Sequence, residues 1–268
     1  MNGGVTLTLW NLVVKFSQTA DLQHVLSVGG TLVVRGGGLG SNDAFHWSLI
    51  STGRVDLERT NVSNAGSGTT AGLDILGGSN NIVAYSRLSG LRLRMLSNHN
   101  DYFGYNNVSN YDDSVTNLHV LQVGANSTVE HNAFWNVTSG QQSIILSYQN
   151  WGNVVIFAND IKYRTNGNNA MGIEIVHLSS TDTTVKPAGY LVTETWNNLT
   201  IYYRSAGTND IPFDNEYSER LYIAYNHVSG LTDGCLQGGG LTNSLMEHNT
   251  CKGSGIGGSF GIYDYISD

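Results

Sequence analysis

Four carboxylates crowd into one short stretch of this chain: Asp210, Asp214, Glu216 and Glu219, within TNDIPFDNEYSER. Oxygen ligands of that kind suit Ca²⁺, a hard cation that gathers several of them. The Asp-x-Asp-x-Asp-Gly spacing is missing, so a solvated acidic loop is the simpler account, with Asp210, Asp214 and Glu216 as the metal candidates. Asp112 and Asp113 repeat the idea on a smaller scale. Lys162 and Arg164 offer the opposite chemistry: a cation that neutralises an acidic sugar, or a base that removes a proton. Glu130 is expected to point outward one repeat earlier. Glu174 and His177 lie on the strand-like GIEIVHL, on opposite sides by alternation. Scattered surface charge accounts for all of these as simply.

Five Asn-x-Ser/Thr sequons occur, at Asn61, Asn107, Asn126, Asn136 and Asn198, a number that chance supplies in a chain so rich in Asn, Ser and Thr. They are glycosylation candidates, and intact mass decides the matter. Cys235 and Cys251 form one bridge or remain two buried thiols, the second being the blander reading.

Composition narrows the function classes. The chain has 268 residues, 40% hydrophobic and 13% charged, about half the usual charged share. A net charge of −8 with 13 Lys plus Arg leaves no basic cluster to neutralise phosphates, which argues against nucleic acid as a partner. The longest apolar runs, such as Ser143–Tyr148, are too short to span a bilayer, so membrane insertion is not expected. The opening MNGGVTLTLW lacks the basic flank and long apolar stretch of a secretory signal.

The elements that must position these residues are written in a repeat. IAYNHVSG at 223–230 echoes VAYSRLSG at 83–90. The shared pattern is apolar, x, x, Asn/Ser/Thr, x, apolar, often followed by Ser/Thr and Gly/Asn. It fits copies starting at 57, 83, 103, 129, 156, 223 and 246, more loosely ETWNNLTI at 194, and weakly TLVVRGGG near Leu32. Starts lie mostly 20–29 residues apart, with one longer gap between 156 and 194. Helical repeats and propeller blades are longer, and the Leu-x-x-Leu-x-Leu ladder of leucine-rich repeats is absent. A parallel β-solenoid coil fits the period.

Column by column, the sixth position holds Val62, Leu88, Val108, Phe134, Ile161, Leu199, Val228 and Cys251, an apolar stack. The fourth holds Thr60, Ser86, Asn106, Asn132, Asn159, Asn197, Asn226 and Asn249, a polar ladder. Each amide would bond the coils on either side at the strand spacing of about 4.8 Å, and Asn would supply the left-handed corner conformation. The third holds Arg59, Tyr85, Tyr105, His131, Ala158, Trp196, Tyr225 and His248. Facing solvent, such a column would be a sugar platform; strict alternation predicts it inward, as a core stack.

The lines NSTVEHNAFWN, GNVVIFANDI, RLYIAYNHVSG and NSLMEHNTC resemble the right-handed parallel β-helix, or pectate-lyase-like, superfamily across residues 57–253. The resemblance implies an all-β, single-stranded right-handed parallel β-helix of about nine to eleven coils, one domain spanning 1–268. That fold hosts lyases, hydrolases, epimerases, tailspikes and adhesins. Its lyases use carboxylate-bound Ca²⁺ with an Arg or Lys base, and its hydrolases use clustered Asp pairs. The Arg-x-x-Pro-x-x-Arg stretch of pectate lyases is missing here. So are the Asn-Thr-Asp, Asp-Asp, Gly-His-Gly and Arg-Ile-Lys segments of polygalacturonases.

Two function classes follow. One is an extracellular or cell-surface rod of adhesin, fibre or tailspike type, turned toward a polysaccharide or surface glycan. Strand-like sequence at both ends suggests a piece of a longer β-helix, or homo-oligomers packed end to end or laterally. The other is a lyase or hydrolase acting on an acidic polysaccharide, with Lys162, Arg164 and Glu130 as catalytic candidates.

Overall fold

Alternation sets the inner face. In the computed structural model the first-position residues Val34, Leu57, Val83, Phe103 and Val129 are at most 1% exposed. The sixth-position residues Leu39, Val62, Leu88, Val108, Phe134 and Ile161 are at most 3% exposed. The structure describes residues 4–97, 99–113, 119–124, 127–139, 143–148, 155–163, 171–176, 200–203, 216–219, 222–225, 227–231, 236–238, 241–242, 245–248, 250–253 and 262–264.

Each coil contributes strands to three parallel faces, making a β-solenoid with no helix among the described residues. On the first face, Ile82–Ala84, Asp101–Gly104, Ser127–Glu130 and Val155–Phe157 lie side by side, with Val83, Phe103, Val129 and Ile156 in register. On the second, Arg87–Ser89, Asn107–Ser109, Ala133–Ser139 and Asp160–Tyr163 align Leu88, Val108, Phe134 and Ile161. Thr31–Ser41 and Arg54–Ser63 run round the corner and serve both faces. The third face is a nine-stranded sheet whose order follows the chain from Val25–Val28 to Ile262–Asp264. Its inward Leu49, Leu73, Leu93, Leu121, Ile145 and Ile173 close the core. One large apolar side chain from each face contributes about 5–9 kcal/mol of burial per coil before chain entropy is subtracted.

The repeat reaches further toward the N-terminus than the copies starting at 57 suggest. Leu9, Val34 and Leu57 share one column, and Val14, Leu39 and Val62 another. The weak copy in TLVVRGGG therefore begins at Val34, not Leu32, and LWNLVVKF from Leu9 forms a coil before it. In the copy from Val34 the fourth place is glycine for a steric reason: a Cβ at Gly37 would overlap the Leu12 carbonyl. The first coil leaves Val5, Trp10, Leu12 and Val13 more than half exposed.

Residues 194–199 of the loose copy ETWNNLTI lie outside the described residues. Phe157 pairs directly with Ala224, and Ile161 with Val228, so the coil from 156 stacks on the coil from 223. Between them Thr200–Tyr203 pairs antiparallel with Glu216–Glu219, which in turn pairs in parallel with Leu241–Thr242. Asn197 lies outside the described residues.

Inside the corner between the first two faces runs a buried polar file. The Thr60 backbone N–H donates to Ser86 Oγ at 3.1 Å, and that of Ser86 to Asn106 Oδ1 at 2.9 Å. Asn106 donates to Asn132 Oδ1 from its backbone N–H at 2.9 Å and from Nδ2 at 3.1 Å. Asn132 does the same to Asn159 Oδ1, at 3.1 and 3.0 Å. Each Nδ2 also reaches back to a carbonyl of the preceding coil: Asn106 to Val83, Asn132 to Phe103 and Asn159 to Val129. The members are at most 2% exposed, so every bond is dry and the coils are held in register. Asn226 and Asn249 lie outside the described residues.

The left-handed conformation does not belong to these Asn residues, contrary to the sequence expectation. It falls one residue earlier, on Arg59, Tyr85, Tyr105, His131, Ala158, Tyr225 and His248, with φ of 52–59°. It recurs at the eighth position, on Asn64, Gly90, Asn110 and Asn136. There the tolerance of Asn and Gly for positive φ is used.

A second polar corner precedes the first face. Asn81 Oδ1 accepts the Val55 backbone N–H at 2.8 Å, and its Nδ2 donates to Asp101 Oδ1 at 2.7 Å and to the Gly77 carbonyl at 3.1 Å. Ser97 Oγ donates to the same Asp101 oxygen at 2.6 Å. Asp101 is 2% exposed, and burial pushes its carboxyl above the ordinary carboxylate range despite these donors.

Candidate functional site

A left-handed residue inserted between two strands interrupts in–out alternation. Positions two and three both face outward, and inward pointing resumes at position four. The third-position column therefore stands on the surface, not in the core as alternation predicts. Tyr85 is 54% exposed, Tyr105 44% and Tyr225 45%. His131 and His248 are exposed as well, so neither is a core histidine.

Because the same backbone turn recurs at the strand spacing, the rings stack along the rod. Tyr85 and Tyr105 lie 5.0 Å apart and 12° from parallel, and Tyr105 and His131 lie 4.8 Å apart at 16°. Tyr225 and His248 repeat the arrangement at 4.8 Å and 15°. Ala158 interrupts the file. Phe157 fills the interval, edge-on to His131 at 5.5 Å and 86°, and tilted 68° to Tyr225 at 5.9 Å. Ring faces in the file are spent on one another, so what it offers outward is a row of ring edges bearing hydroxyls and imidazole nitrogens.

On the first face beside this file, Tyr102 OH donates to Glu130 Oε1 at 2.8 Å. Burial, and then the Glu130 carboxylate, push the Tyr102 phenol well above its ordinary value. Gly104 makes the contact feasible, since a Cβ there would lie 2.5 Å from Tyr102 Cζ and 2.8 Å from Cε1.

The second face carries Trp135, 44% exposed, whose Nε1 donates to Asn107 Oδ1 at 2.6 Å. One coil on, Asp160 stands between Lys162 Nζ at 3.3 Å and His227 Nδ1 at 3.3 Å. The three side chains are 40–60% exposed, which leaves the pairs solvent-screened. Elsewhere, Arg35 binds Asp56 and Glu58 with Arg54 at 3.3 Å from Asp56, and Arg94 pairs with Asp74. These are closed charge groups with little left for a ligand.

Comparison with family models, with curated proteins and with solved structures gave no match. Function must be argued from the surface itself.

Among the described residues, the sequence candidates Lys162 and Glu130 lie on different faces. Lys162 is on the second face bound to Asp160, whereas Glu130 is on the first face bound to Tyr102. Arg164, His177, Asp210, Asp214, Asn126, Asn198 and Cys235 lie outside the described residues. Glu216 belongs to the strand Glu216–Glu219, opposite Tyr203. Asp112 and Asp113 pair in register with Thr138 and Ser139, and Glu174 with Leu146. Among the described residues no three His, Cys, Asp or Glu side chains are grouped to hold a metal ion. Asn61 is exposed on the second face. The amide of Asn107 accepts from Trp135, and Asn136 Nδ2 donates to Asn110 Oδ1 at 2.7 Å.

Sequence reasoning missed Tyr102, Gly104, Trp135, Asp160 and His227. It also missed the Asn81–Asp101 corner. The signal there was a polar residue two places before the first apolar position, in NIVAYS, DYFGYN and STVEHN.

Proposed function

We propose that this chain is an extracellular, non-catalytic β-helical rod that binds an extended polysaccharide or surface glycan along the corner between its first two faces. One observation carries the reading: the third-position rings face solvent in two stacked runs, Tyr85–Tyr105–His131 and Tyr225–His248. Their step, about 4.8 Å, is close to the length of one hexose, so successive sugars meet successive ring edges. Tyr hydroxyls and His nitrogens donate and accept, which suits sugar hydroxyls. Trp135 and Tyr102 flank the file and add aromatic surface. A charge-poor exterior fits a neutral or weakly charged partner better than a strongly charged one. The likeness of the coil pattern to pectate-lyase-like β-helices supports a carbohydrate setting and nothing finer.

The test is affinity electrophoresis through gels holding single soluble polysaccharides, with Tyr105→Ala as the variant. Retardation of the parent chain and its loss in the variant support the reading. Equal mobility in every gel removes it.

A second reading rests on Asp160 between Lys162 and His227: a lyase or hydrolase with acid–base groups on the second face. Ultraviolet-absorbing unsaturated product, or new reducing ends, abolished by Asp160→Ala would establish it in place of the first.

A further inference from the structure

Side chains on a sheet normally stand off it, roughly perpendicular to the strands. Tyr102 does otherwise. It leans along its own strand, so that its outer half occupies the space a side chain at position 104 would need. Neighbouring coils carry Ala84 and Glu130 in that column, and Gly104 between them is what gives the ring room. At the far end its hydroxyl is tied to Glu130 Oε1, in the next coil, at 2.8 Å. The ring is thus anchored by its backbone at one end and a carboxylate at the other. Thr128 stands in register with Tyr102 on the Glu130 strand and adds a hydroxyl.

We infer that Tyr102, Gly104 and Glu130 form a subsite for one uncharged pyranose ring; this rests on the glycan-binding reading above and deepens it. An aromatic ring laid along the surface takes the C–H face of a pyranose. Unlike the rings of the third-position file, Tyr102 spends neither face on a stacked neighbour of that file. Glu130 accepts hydrogen bonds from sugar hydroxyls, and charge-assisted bonds of that kind are the stronger sort. Holding the ring beforehand removes side-chain ordering from the cost of binding. The same carboxylate selects against uronates and sulfated sugars. A second negative charge a few ångströms away is repelled, which lowers affinity by roughly tenfold. A chain of net charge −8 adds to that bias.

Calorimetric titration of the full chain with cellohexaose, xylohexaose, mannohexaose and hexagalacturonate tests this. At least one neutral hexamer should bind at least tenfold more tightly than hexagalacturonate. Tyr102→Ala should weaken that binding tenfold or more. Gly104→Ala removes no polar group but displaces the ring, and should weaken it comparably. Glu130→Gln should narrow the gap between neutral and acidic hexamers. If Gly104→Ala fails to fold by circular dichroism, Tyr102→Ala, at an outward position, carries the result alone. Unchanged affinity in Tyr102→Ala, or a preference for hexagalacturonate, overturns the subsite while the rod reading stands. So does absence of neutral-hexamer binding when the gels still retard the chain. Should no polysaccharide retard it, the rod reading fails and the subsite with it.

Discussion

Replacing Asn132 by Ala tests whether the buried amide file holds the coils together. The side chain makes four hydrogen bonds: it accepts from the Asn106 backbone N–H and Nδ2, and donates to the Phe103 carbonyl and Asn159 Oδ1. Truncation strips the Asn106 backbone N–H of its acceptor in a site where Asn106 is 2% exposed. An unsatisfied buried donor costs about 1–3 kcal/mol, and three further bonds at a net 0.5–1.5 kcal/mol each add about 1.5–4.5. Asn106 Nδ2 retains the Val83 carbonyl, and Asn159 Oδ1 retains the Asn132 backbone N–H, which moderates the loss. We expect a destabilisation of about 4 kcal/mol. Asn61→Ala, exposed on the second face, should change stability by less than about 0.5 kcal/mol. Urea unfolding gives the comparison. Stacked repeats can unfold in parts, so hydrogen exchange at the Asn106 amide supplies a local readout that needs no two-state assumption. A loss below about 1 kcal/mol with the Asn106 amide still protected would refute the claim that the amide file, rather than apolar packing alone, sets the register.

Other perturbations have signs that follow from the structure. Burial raises the Asp101 carboxyl, so the folded state holds that proton more tightly than the unfolded chain. Its contribution is complete below the unfolded carboxylate value and fades as pH rises through the raised one. Asp101→Asn should therefore stabilise the protein at neutral pH and lose that advantage in acid, read by urea midpoints across pH. Tyr105→Ala removes two ring stacks and should cost about 1–2 kcal/mol in urea unfolding. Ala158 sits at φ 53°, where a Cβ is strained, so Ala158→Gly should be neutral or stabilising by up to about 1 kcal/mol in thermal unfolding. A clear destabilisation would mean the corner does not store that strain.

Much of the fold was legible because stacking in register demands the same kind of residue at the same place in every coil. Val62, Leu88, Val108 and Phe134 could be aligned by eye, and so could Thr60, Ser86, Asn106 and Asn132. The candidate site was less legible. Tyr102 and Glu130 are 28 residues apart and meet only because their coils are adjacent. Nothing in either local segment marks the pair. Asp160 and His227 are farther apart still, across an interval whose length no repeat pattern states.

The repeat, the apolar columns and the polar file were readable in the residue string, since each needs the same residue type at the same place in every coil. Folding settled which coil follows which: Phe157 meets Ala224 and Ile161 meets Val228, so the coil from 156 stacks on the coil from 223. It also decided the direction of the third-position rings. A single left-handed residue per corner turns that column from core to surface, and a φ value is a property of the closed coil that residue alternation does not encode.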